Sequence, residues 1–70
     1  MNAETLLELL RRQPFEPFTV YLTNGDSFPV RHPDQAMVLK TRLVIGDPVT
    51  DRLQICALLH IARIESPQAA

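Results

Sequence analysis

Two histidines, one cysteine and a scatter of cations are the residues of this sequence with chemistry to offer. His32 and Asp34, joined by His60, would be the ligands of any metal site. Zinc takes three or four ligands at recognisable spacing, and Cys56 stands at no such spacing from either histidine. No metal is expected. Cys56 lies between Ile55 and Ala57 with no neighbouring base, so it reads as a small buried hydrophobe rather than a nucleophile. A phosphate-cradling loop needs clustered glycines, and the chain has only Gly25 and Gly46. Neither a cofactor nor catalysis is expected.

Binding chemistry is what is left. Arg11, Arg12, Arg31, Lys40 and Arg42 are cations able to contact phosphate as a basic patch, and Gln35 and His60 are the other polar side chains singled out. Each has a plainer role as well. An arginine pair at a helix end complements the dipole, and cations on an edge strand deter unwanted pairing. A Pro-Asp-Gln turn needs no ligand to explain it, and a histidine in an apolar strand can bond to backbone.

The elements that must position these residues are organised around Phe18 to Val30 (FTVYLTNGDSFPV). Asn24-Gly25 between alternating apolar residues is the strongest short hairpin signal, because the reversal needs positive φ, which Gly takes freely. A loop of Asn24-Gly25-Asp26 would pair Leu22 with Phe28 and Val20 with Val30. Phe18 then joins their apolar face, and Thr19, Tyr21, Thr23, Ser27 and Pro29 take the other. Before the hairpin, residues 3–13 read as a short helix with Ala3, Leu6, Leu7 and Leu10 on one stripe, capped by Asn2 and stopped by Pro14. After it, a turn at residues 31–35 leads into a strand over Ala36–Lys40, with Leu43–Ile45 either another strand or its continuation beyond Thr41-Arg42, about 36–45 in all. The segment from Leu53 to Glu65 fits a helix with Ile55, Leu58, Leu59 and Ala62 on one face. It also fits two strands, about 53–59 and 61–65, with Leu53, Ile55, Ala57 and Leu59 inward and a break near His60. Periodicity leaves both open, and the isoleucines lean toward strand.

At 70 residues the chain is expected to be one domain, 1–70, at the lower limit for an independent core. One cysteine rules out an intrachain disulfide, which leaves oligomerisation as the expected support. A formal charge of −1 gives no global attraction to nucleic acid or anionic membrane. The N-terminus lacks the pattern of a signal peptide, and the unpaired cysteine fits the cytoplasm.

The order helix, Asn-Gly hairpin, bent strand and final strand pair, with TVYLTNGDSF, PDQAMVLK and LLHIARI, resembles the Sm-like family, the bacterial Hfq-type RNA chaperones most closely. The likeness spans roughly residues 4–65, and VYLTNG is its most specific piece. The chain is also similar to a type of short bacterial protein with PFEPFTVYLTNG near its start and LLHIARIE near its end. The resemblance implies a mainly β fold: a short helix, then a five-stranded, strongly bent Sm/SH3-like small barrel with strands at about 18–23, 27–32, 36–45, 53–59 and 61–65. It further implies protomers joined edge to edge in a ring that binds single-stranded RNA. The family's pore glutamine falls on Gln35 and its pore histidine on His60. The family's base-stacking aromatic falls on Ala36, and its Tyr-Lys pair on Leu58 and Leu59. Stacking contributes about 1–3 kcal/mol per base and cations supply most non-specific affinity, so the ring is implied without most of its RNA site. Two functions follow as expectations. One is a non-enzymatic, oligomeric Sm-like module with weak or altered RNA binding. The other is a structural domain that self-associates or docks a protein partner, without nucleic acid or membrane.

Overall fold

The computed structural model describes residues 1–66; residues 67–70 of the expected domain lie outside the described residues. The fold is mainly β with one N-terminal helix, α1 (Ala3–Arg11). Asn2 caps α1 through its side-chain oxygen, which accepts from the Thr5 N–H and hydroxyl at 2.9 Å each. Arg12 is already extended, so α1 ends ahead of the expected residue 13. Leu6 is fully buried, with Ala3, Leu9 and Leu10 packed beside it. Leu9 thus takes the place expected for Leu7 in the packed stripe.

Among the described residues six strands form two three-stranded antiparallel sheets, rather than five strands closed into a barrel. They are β1 (Phe18–Leu22), β2 (Ser27–Val30), β3 (Ala36–Val38), β4 (Arg42–Asp47), β5 (Arg52–Ala57) and β6 (Ile61–Glu65). The first sheet has the order β2-β1-β6 and the second β3-β4-β5. Short 3-10 turns at Pro33–Gln35 and Leu58–His60 carry the chain between the sheets.

The β1–β2 hairpin keeps the expected faces but shifts the register by two residues. Phe18 pairs with Val30 and Val20 with Phe28. The loop is Thr23-Asn24-Gly25 rather than Asn24-Gly25-Asp26, closed by Gly25 N–H to Leu22 O and Leu22 N–H to Asp26 O at 3.1 and 2.8 Å. Gly25, at φ 94°, takes the left-handed position that ends such a three-residue loop. A shift of two preserves the side-chain alternation, so Phe18, Val20 and Val30 still enter the core.

Of the two readings of residues 36–45, one continuous strand or two, the structure takes the second. The chain reverses at Lys40-Thr41, where Leu39 N–H donates to Arg42 O at 2.8 Å, and β3 pairs with β4. The final segment follows the strand reading with its break at Leu58–His60, but β5 is turned over relative to expectation. Leu43 and Ile45 of β4 point inward, opposite Cys56 and Gln54, so the even-numbered side of β5 faces the core. Leu53 and Ile55 are each 62% exposed, while Cys56 and Leu58 are buried. Phe18, Val20, Val30, Leu43, Ile45, Leu58 and Ile61 complete the core between the sheets, with Phe15 against Phe18 at 6.1 Å between ring centroids.

Candidate interaction surface

The residues selected as binding candidates do not meet at one place. Gln35 sits where the Pro33–Gln35 turn enters β3, and its amide is engaged in structure. Its oxygen accepts from the Arg31 and His32 N–H groups at 2.8 and 3.0 Å, and its nitrogen donates to Gly46 O at 3.0 Å. His60 is exposed at the opposite end of the β3–β4 hairpin. Its carbonyl accepts from Thr23 N–H at 2.9 Å, and in the same turn Leu58 N–H donates to Thr41 O at 2.9 Å. Lys40 and Arg42 therefore share an end of the molecule with His60, and Gln35 does not.

The remaining cations are dispersed. Arg11 and Arg12 end α1, and Arg12 pairs with Glu16 at 3.0 Å in the open, where an ion pair contributes little. Arg31 follows β2 and lines a cleft of about 380 Å³ between the sheets, with Phe28, Asp47, Arg52 and Gln54. Asp47 organises the β4–β5 turn there. Its carboxylate accepts from the Val49 and Thr50 N–H groups at 2.9 and 3.4 Å. These bonds, Val49's first, with Arg31 nearby, hold its carboxyl below the ordinary value despite a smaller opposing desolvation. Burial pushes the Cys56 thiol up, the opposite of what a nucleophile needs. Among the described residues no group of three or more His, Cys, Asp or Glu side chains could hold a metal ion. Nor is any helix among them long and apolar enough to cross a membrane.

Sequence reasoning missed the outer face of the second sheet. Met37 of β3 pairs with Val44 of β4, which pairs with Ile55 of β5; the next row pairs Gly46 with Leu53. Met37 is 61% exposed, and with Leu53 and Ile55 it makes a continuous apolar stripe across three strands. The signal was present as a double periodicity. Leu53 and Ile55 form one apolar series and Cys56 and Leu58 the other, and a strand can bury only one of them against the single core beneath it.

No protein-family model matches the chain, and neither the curated proteins nor the solved structures give a match.

Proposed function

We propose that this chain is a non-enzymatic small β module whose function is self-association, built on an Sm/SH3-like bent-barrel plan. The stripe Met37–Val44–Ile55 with Leu53 carries this reading. A contiguous exposed apolar patch on so small a domain is the mark of an interface, whereas single exposed hydrophobes are ordinary. The size of the chain points the same way, since a core of this extent gains margin when a second copy covers apolar surface. The barrel plan is supported by the corners. β2 and β3 together act as one strand bent through Pro33–Gln35, and β5 turns into β6 through Leu58–His60, the kind of crossing by which two packed sheets share strands.

Single-stranded RNA is the second reading, supported by the meeting of Lys40, Arg42 and the exposed His60 at one end. It is the weaker one. Gln35 is remote from that end, and Tyr21 lies beneath the Arg63 guanidinium at 3.9 Å instead of offering a free stacking face.

Light scattering on the nuclease-treated full chain tests the proposal. A mass that rises reversibly with concentration to a multiple of 7.9 kDa supports it. A monomer throughout, with binding of short RNA that falls steeply with salt, replaces it with the second reading.

A further inference from the structure

Strand pairing sorts the outer face of the second sheet into three rows. Arg42 stands beside Ala57, Val44 between Met37 and Ile55, and Gly46 beside Leu53. The middle row is apolar throughout, and each flanking row sets a large side chain next to a small one. The two ends of the face differ in charge. At one end Lys40 and Arg42 are exposed, and neither forms an ion pair within the chain among the described residues. Past Gly46 and Leu53, at the other end, Asp34, Asp47 and Asp51 outnumber Arg52 around a shallow depression, with His32 beside them.

We propose that this face packs against the same face of a second copy, about a two-fold axis that crosses the strands along the row Met37–Val44–Ile55. This inference rests on the self-association reading above, and it names the partner and its orientation. Turning one copy about that axis lays Val44 on Val44 and Ile55 on Ile55, and exchanges the flanking rows. Leu53 of each copy then covers Ala57 of the other, and Arg42 covers Gly46. Long side chains meet short ones, which lets the two sheets interdigitate at the usual separation of about 10 Å. The apolar stripe is covered from end to end.

Charge selects the same arrangement. The stem of Arg42 lies along the apolar rows while its guanidinium reaches the acidic end of the other copy, once at each end of the interface. The alternative two-fold, running along β4, sets Arg42 on Arg42 and leaves Gly46 facing Gly46 across a gap. A face with a cation at one end and carboxylates at the other carries its own complement, and a second copy is the partner that fits it. The area is sufficient as well. The two faces together hide on the order of 1,000 Å², the lower bound for a specific interface, so the dimer forms reversibly.

Nuclear magnetic resonance of the isotope-labelled full chain, followed through a dilution series, tests the face. Amide shifts should change with concentration at Met37, Val44, Leu53 and Ile55 and stay fixed on β1, β2 and β6. Arg42→Gln, with folding checked by circular dichroism, tests the axis. It should weaken dimerisation about fivefold, because the charge acts at both ends of the interface. Association of equal or greater strength in Arg42→Gln overturns the axis. Shift changes that reach β2 or β6 but spare Met37 and Ile55, or a mass that settles above twice 7.9 kDa, overturn the face pairing and leave self-association standing. A chain that is monomeric at every concentration overturns both.

Discussion

The Gln35 side chain ties the two sheets together by donating to Gly46 O at 3.0 Å while holding the Arg31 and His32 N–H groups on its oxygen. One amide thus satisfies three backbone groups where β2 gives way to β3, so its role is to fix the corner. Removing it leaves one partly buried carbonyl without its donor and frees two exposed N–H groups to water, which costs about 0.5–1.5 kcal/mol. Gln35→Ala should lower the urea midpoint accordingly, measured at neutral pH. An unchanged midpoint would show that water replaces the amide without loss.

The two glycines should respond oppositely to alanine. A Cβ added at Gly25 would meet only open space, but the residue sits at φ 94°, so Gly25→Ala should cost about 1–2 kcal/mol through backbone strain alone. At Gly46 an added Cβ meets Gln35 O at 3.6 Å, an ordinary contact at ordinary φ. Gly46→Ala should be nearly silent. Thermal melts of the two variants side by side check the contrast, and equal losses would contradict it.

Acid should loosen the β4–β5 turn. The Asp47 carboxyl lies below its ordinary value of 3.8 in the folded chain, chiefly through the Val49 N–H. The unfolded chain therefore takes up the proton first as pH falls. The stabilisation is complete above about 3.8 and is lost as pH drops through the folded value. Asp47→Asn, which keeps an oxygen for the turn but cannot titrate, should flatten the stability profile below about pH 4 by the part this group supplies. Urea titrations of both proteins from mildly acidic pH downward would reveal it, and superimposable profiles would remove Asp47 as a source.

Several of these features are legible in the sequence, and the departures have identifiable causes. Asn2, Pro14 and the Asn-Gly reversal act through local sterics and capping, so they locate α1 and the first hairpin directly. The hairpin register differs by two from the expected one because Gly25 ends the loop, a choice that matching the apolar face does not determine. The turn at Lys40-Thr41 has no glycine, proline or asparagine to mark it, and bonds from Leu39 and Leu58 hold it. The facing of β5 is set by β4, since Leu43 and Ile45 decide which side meets the core. That long-range pairing exposes Leu53 and Ile55, and with them the candidate interface.

Sedimentation equilibrium of the full chain and of Ile55→Lys is the most direct test of the central claim. Ile55 is 62% exposed, so a lysine there should leave the fold intact while placing a charge in the middle of the stripe. The natural chain should associate reversibly, and Ile55→Lys should remain monomeric with an unchanged circular dichroism spectrum. Association undiminished in the variant, or a natural chain that stays monomeric at every concentration, would contradict the account.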